Sequence, residues 1–304
     1  NFMTFDFRKP VLEDREMIQA LYREMDSRSC EDTFTNLYLW NRVYPTDFAM
    51  SDGMMVLLTN GYFHFPIGAP DPAHIRSAVE KMMDYAREQK MPFRMGVVTP
   101  REFGLLEEIF PGIFQIEYDR DSADYVYERE KLATLSGKKY HGKKNHINKF
   151  QRLYPDWQYE PITEQNVEEC FKMAMKWRNL NGCEDGDEEK RLEVCVTMNA
   201  LRLMKELHLT GGCLRVNGEI AAFTLGERLS SDTFVVHIEK ALADVEGAYT
   251  MINQQFVLHE MEGFTYVNRE EDTGDEGLRQ AKLSYKPVFM VEKGVMTLKD
   301  QASV

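Results

Sequence analysis

Long apolar runs are missing from this chain of 304 residues. The longest, such as Met54 to Leu58, fall far short of the roughly 18 residues that a membrane-spanning helix requires, and the N-terminus has no signal-peptide pattern. A cytoplasmic location without a transmembrane segment is expected. Paired cysteines are missing too. Cysteines stand at 30, 170, 183, 195 and 213, with no CxxC spacing and no histidine pattern to match a zinc site. Buried or free thiols, and no metal centre, follow from that scatter. Positive charge is scarce: 37 Lys and Arg face 50 Asp and Glu, for a net charge of -13. Such a balance counts against DNA binding or general coating of nucleic acid, and confines any polyanion contact to a local patch. At this length, with 43% hydrophobic residues, the chain has room for about two domains with real cores.

The positive charge gathers in one place. From Lys131 to Arg152 there are seven Lys or Arg and no acid, which leaves 30 basic residues elsewhere. Residues 137 to 150 read GKKYHGKKNHINKF. On a helical wheel with Tyr140 at the origin, Ile147, Phe150 and Tyr154 fall within about 80° to one side of it, while His141, Lys144, Asn145, Asn148, Lys149 and Arg152 spread over the other side. An amphipathic helix with a basic outer face is expected. Lys143 falls inside the apolar stripe, where a charge is costly unless it is paired, reaches a ligand or snorkels to water. Lys138, Lys139, His141, Lys143, Lys144 and Asn145 are therefore candidate contacts for phosphates, such as those of a tRNA acceptor end. The competing account is a solvated, linker-like charge run.

Periodicity and turn signals give each half the same order of elements. In the first, helical patterns over Leu12 to Met25 and Cys30 to Arg42 precede strands near Phe48 to Met50, Met54 to Thr59 and Tyr62 to Pro66, which are separated by Asp52-Gly53 and Asn60-Gly61. A helix from Asp71 to about Gln89, a strand at Phe93 to Val98, a short helix and two more strands follow. In the second, helices at Thr163 to Asn179 and Asp187 to Leu207 precede strands at Cys213 to Val216, Ile220 to Glu227 and Thr233 to Glu239. A helix over Tyr249 to Glu262, a strand at Phe264 to Asn268, a short helix and a closing strand at Val288 to Val291 complete it. The repetition points to a duplicated α/β (α+β) unit, each with a mixed, mostly antiparallel sheet flanked by helices. Expected boundaries are 1–135, a basic connecting helix 136–155, and 156–304, with the connecting helix along the seam.

This helix, helix, meander, helix, strand order resembles the GNAT acyltransferase fold, and two such domains in tandem resemble the Fem-type aminoacyltransferases. Three stretches, EDTFTNLYLW (31 to 40), the basic segment, and VNREEDTGDEGLRQAKLSYKP (267 to 287), are similar to the bacterial family named for the C-terminal domain of phosphatidylglycerol lysyltransferase. The resemblance spans nearly the whole chain. It implies a two-domain acyltransferase and, by relation, an aminoacyl-tRNA donor.

Simple alternation in Thr233 to Glu239 puts His237 and Glu239 on one face at a strand end that, in a GNAT-like fold, borders the acyl site. Glu239 is the first candidate for general base and His237 the second; a structural salt bridge is the bland alternative. The loop Leu242 to Ala248 lacks the Gln/Arg-x-x-Gly-x-Gly/Ala form that cradles a pyrophosphate, and Asp244 and Glu246 would repel one, so acyl-CoA is disfavoured. Between Asn268 and Lys286 the chain packs Asn268, Arg269, Asp272, Arg279, Lys282 and Tyr285 after a strand. Arg279 and Lys282, three apart on a helix, suit a carboxylate or phosphate, while Asp272 and Glu270 suit an ammonium group. An internal ion-pair network is the other reading. Asp185-Gly186-Asp187 with Glu188 is a fragment of a calcium loop lacking its remaining ligands. The three Trp and eighteen Met read as packing residues. The function expected is aminoacyl transfer from tRNA to an amine or hydroxyl of a small molecule or lipid headgroup. The alternatives are an acyl-CoA-dependent N-acyltransferase and a non-catalytic RNA- or anion-binding protein.

Overall fold

The computed structural model describes residues 5–180 and 188–301. In chain order the first elements are α1 (Arg15–Met25), α2 (Phe34–Leu39), β1 (Thr46–Ser51), β2 (Met54–Thr59), β3 (Tyr62–Phe63), α3 (Pro72–Glu88), β4 (Arg94–Val98), α4 (Pro100–Ile109) and β5 (Phe114–Tyr118). Next come β6 (Asp124–Glu128), α5 (Arg129–Thr134), α6 (His141–Leu153), β7 (Gln158–Pro161), α7 (Val167–Leu180), α8 (Glu188–Arg202) and β8 (Thr210–Val216). The last are β9 (Glu219–Arg228), β10 (Thr233–Ala241), α9 (Ala248–Glu260), β11 (Tyr266–Asn268), α10 (Glu276–Leu283), β12 (Phe289–Val291) and β13 (Gly294–Leu298).

Local chemistry explains the sharp boundaries. The pairs Asp52-Gly53, Asn60-Gly61 and Asn217-Gly218 all have positive φ at both residues, the geometry that matches a two-residue turn to the twist of its hairpin. Asp71 caps α3 by accepting from the amides of Ala73 and His74, with Pro72 at the first helical position. Thr99 and Glu102 form a reciprocal capping box on α4.

Two mixed sheets flanked by helices make up the architecture. One has the order β1-β2-β3-β4-β13-β5 and the other β12-β6-β11-β10-β9-β8-β7. The pairs β3/β4 and β10/β11 are parallel. The contiguous halves expected from the sequence differ from the compact units, of which the first takes in residues up to Asp124, Glu271–Arg279 and the chain from Met290 on. The second is Tyr125–Glu270 with Gln280–Phe289. Strand exchange is the reason: β13, from the end of the sequence, lies between β4 and β5, and β6, from the first half, lies between β12 and β11. The first core is rich in aromatic residues, with Phe5, Phe63 and Phe93 buried and the Phe5 and Phe63 rings packed around Tyr85. The second centres on α9, where Met251, Ile252, Phe256 and Val257 are fully buried. No helix among the described residues is long and apolar enough to cross a membrane.

Candidate active site

The parallel ladder between β10 and β11 is short. Thr233, Phe234 and Val235 pair with Tyr266, Val267 and Asn268, yet β10 runs on to Ala241 while bonded only to β9. Side chains beyond Val235 therefore stand past the end of that ladder, where the segment after β11 supplies their neighbours.

A β-bulge sits at the same point. Val236 pairs with Gly226 and Ile238 with Leu225, leaving His237 as the extra residue. This corrects the simple alternation. Phe234 packs edge-on against Phe256 of α9, and Glu239 meets Asn253 of the same helix. An even and an odd residue of one strand reach one helix only because the bulge inserts a residue between them. His237 and Glu239 thus belong to two different polar groups.

His237 is 3% exposed at its side chain, with Nε2 2.6 Å from Glu227 Oε2 and Nδ1 2.7 Å from Glu270 Oε2. Both ring nitrogens face carboxylates, so both donate and the ring is an imidazolium. Burial alone would lower its pKa, but the two carboxylates outweigh it and push it up to about 10. Its geometry is that of a buried cation rather than of a base with a free lone pair.

Glu239 has one carboxylate oxygen on each of two donors. Arg269 Nη2 donates to Oε1 at 2.8 Å and Asn253 Nδ2 to Oε2 at 3.3 Å. The side chains of Arg269 and Glu239 are 10% and 14% exposed. Two buried atoms of this group, Arg269 Nη1 and Asn253 Oδ1, have no hydrogen-bond partner among the described residues. One is a donor and one an acceptor, left over beside a carboxylate. Unmatched polar atoms at this depth cost about 1–3 kcal/mol each, which marks them as places where a ligand can add a bond.

Arg269 also lies over the ring of Tyr285, 4.6 Å from its centroid, and Tyr285 packs edge-on against Tyr127. The Tyr285 hydroxyl bonds the side chain of Thr250, and burial raises its pKa. Lys143 Nζ lies 4.2 Å from the centroid of the same ring. The expected basic helix is α6, with Tyr140, Ile147 and Phe150 buried, Lys143 half-buried in that stripe, and His141, Lys144 and Asn145 exposed. Lys138 and Lys139 are exposed in the turn before it. Phe150 and the carbonyl of His146 press against Gly247, the N-cap of α9, and Lys149 reaches Glu246 at 2.7 Å. At Gly247, the helix terminus that a pyrophosphate would need is therefore packed against α6, while Asp244 and Glu246 beside it are exposed.

The remaining candidates are held in internal networks. Asn268, fully buried, accepts from the amide of Glu270 at 2.7 Å and shapes the turn after β11. Asp272, also fully buried, is bonded by Arg279 Nε at 2.8 Å and by Arg120 at 3.3 Å. Arg279 reaches Asp121 with its other edge. The ammonium of Lys282 donates to the carbonyl of Arg269 at 2.6 Å. The expected clamp of Arg279 and Lys282 does not form, because each cation is drawn to its own acceptor. The calcium-loop fragment lies outside the described residues, apart from Glu188. Asn253 and Tyr127 escaped the sequence reading, although Asn253-Gln254-Gln255 in a helix of buried residues was a signal: all three are buried.

The first unit has its own polar cluster. Lys293, 1% exposed, lies 2.6 Å from Asp124 and 2.5 Å from Glu31, and the Cys30 thiol donates to Asp124 at 3.1 Å. Cys30, Glu31 and Asp124 have the atoms of a metal-ligand set, but the Lys293 ammonium already supplies their positive charge.

Comparison with known proteins shows the family. A conserved protein from Bacteroides thetaiotaomicron is 40% identical, covering 97% of this chain and 100% of that one, with a TM-score of 0.89. The L-PGS of Bacillus licheniformis has the same fold at 16% identity, with a TM-score of 0.66 over 97% of this chain and 94% of that one. An uncharacterized protein of Mycoplasmoides gallisepticum is 26% identical over 175 residues, 57% of this chain; the match spans about half that relative's length, 55%. The model of the family "Phosphatidylglycerol lysyltransferase, C-terminal" matches residues 22–294, and the chain belongs to that family.

Proposed function

We propose that this protein is an aminoacyltransferase that takes its acyl group from an aminoacyl-tRNA and passes it to an amine or hydroxyl acceptor. The observation that carries the reading is the pair of unmatched atoms beside Glu239. Asn253 Oδ1 accepts an N–H or O–H of the acceptor, and Arg269 Nη1 donates to an oxygen of the reacting ester. Glu239, oriented through both its oxygens, takes the proton as the acceptor attacks the ester carbonyl and returns it to the ribose oxygen as that bond breaks. His237 holds the strand end in place from the other polar group. Membership of the lysyltransferase family supports acyl transfer, and the exposed basic face of α6 supports a polyanionic donor. The covered N-terminus of α9 speaks against coenzyme A.

The test is transfer of labelled amino acids from a mixed aminoacyl-tRNA pool to candidate amines and glycerol-based acceptors. Glu239→Gln should lower transfer by about 100-fold while the fold persists. Transfer by the variant at the parent's rate would overturn the role of Glu239, and heat on micromolar titration with acetyl-CoA would move the donor to the acyl-CoA reading. Absence of transfer from every donor would favour a binding protein.

A further inference from the structure

We propose that Lys143, Arg269 and the Tyr285 ring between them form a binding site for a phosphate ester. This rests on the same cluster as the reading above and deepens it by naming the chemistry of one ligand group.

The two buried lysines among the described residues set the standard. Lys293 holds Asp124 and Glu31, and Lys240 holds Glu193 while lying 4.1 Å over Trp177. Lys143 departs from it. Half-buried in the apolar stripe of α6, it has a cation–π contact with Tyr285 and no carboxylate within ion-pair distance among the described residues. Its charged neighbours are cations: burial and then the charges of Arg269 and Lys286 press its pKa downward. A lysine in such a place destabilises the protein by itself. Arg269 adds a second departure, a buried Nη1 without a partner although Nη2 is matched.

Both unmet donors therefore belong to cations that stand within 5 Å of the same ring centroid. Lys143 and Arg269 share this ring, Lys286 adds a positive charge that acts on Lys143, and Glu239 is the carboxylate bonded to Arg269. An anion is what this set lacks. The donors come from separate elements, α6 and the segment after β11, and Arg269 has one edge already engaged. A planar carboxylate is best met by one intact guanidinium fork, whereas a tetrahedral phosphate offers oxygens in several directions to separate donors. The same charges act against a cationic side chain at this spot.

The site is read with the full-length protein by calorimetry and thermal unfolding, using inorganic phosphate, a glycerophosphodiester and acetate at matched ionic strength. Phosphate or the diester should bind and raise the melting temperature, with acetate clearly weaker; preference for the diester identifies a headgroup or nucleic-acid ester, and preference for free phosphate a monoester. Lys143→Met should weaken binding by at least about tenfold and Lys143→Arg should preserve it. Lys143→Met should also melt higher than the parent without ligand, since it removes an unpaired charge from an apolar stripe. Equal binding of phosphate by the parent and Lys143→Met, acetate binding as well as phosphate, or no binding of either phosphate probe at millimolar concentration overturns the proposal. None of these readouts depends on acyl transfer, so failure here is distinct from failure of the aminoacyltransferase reading.

Discussion

Arg269 and Glu270 are adjacent in the chain and serve different polar groups: Arg269 bonds Glu239, and Glu270 bonds His237. The division is made by backbone. Glu270 has φ of 63°, a left-handed conformation uncommon for a side-chain-bearing residue, directly after β11. The bulge at His237 makes the matching division on β10. An irregularity just past the end of β11 and another within β10 are complementary, and between them a buried imidazolium group is kept apart from the candidate acyl-transfer group.

Stability should fall as the solution turns alkaline, in part because of His237. Its folded pKa is raised from about 6.5 to about 10, so its contribution is complete below 6.5 and is lost as the pH climbs toward 10. The slope from one proton is at most about 1.4 kcal/mol per pH unit. Burial also pushes Asp32 up to about 7 and Glu102 up to about 8, and these lose stability in the same direction. The His237 share is therefore read as the difference between denaturation curves of the parent and of His237→Gln. Parallel curves from pH 6.5 to 10 would show that the imidazolium is not formed.

Gly226→Ala tests the bulge. An added Cβ would stand 2.3 Å from the carbonyl oxygen of Val235 and 2.6 Å from the Phe234 ring. The oxygen belongs to the paired strand and cannot swing away, so strand β10 must shift. A loss of at least about 1–3 kcal/mol in urea unfolding is expected, with loss of transfer activity larger than the stability change alone explains. A neutral substitution would mean that the strand end tolerates movement.

The exposed face of α6 divides its own lysines. Lys149 already holds Glu246, whereas Lys138, Lys139 and Lys144 have no carboxylate within ion-pair distance among the described residues. Changing these three to Ala should flatten the log-log salt dependence of tRNA binding by about 0.7–0.9 for each phosphate no longer neutralised, with stability altered by less than about 0.5 kcal/mol. Lys149→Ala should change the slope less. Equal slopes for the parent and the triple variant would remove tRNA from this face.

Patterns with a short period were legible in the sequence, and pairings between distant segments were not. The Asp-Gly and Asn-Gly turns, the capped helices and the stripe of α6 with Lys143 inside it all follow from spacing within a few residues. Glu239 and Arg269 were legible as candidates because polar residues at strand ends stand out. Their mutual bond was not, since it depends on a bulge that reverses the alternation after His237. Asp272 and Arg279, only seven apart, looked free to bind a ligand; Asp121 and Arg120, far away in sequence, complete their network. Gly294–Leu298 is too short a segment to announce a strand, and nothing local tells it which sheet to join.

That last strand has a consequence for synthesis. The first sheet has β13 at an interior position, flanked by β4 and β5, so the ribosome must release residue 298 before the sheet begun by β1 to β5 can close. Until then β4 and β5 each present an unpaired edge in the nascent chain, a template for wrong partners. Early strands thus wait for a later one, and chaperone dependence should concentrate in the segment from β1 to β5.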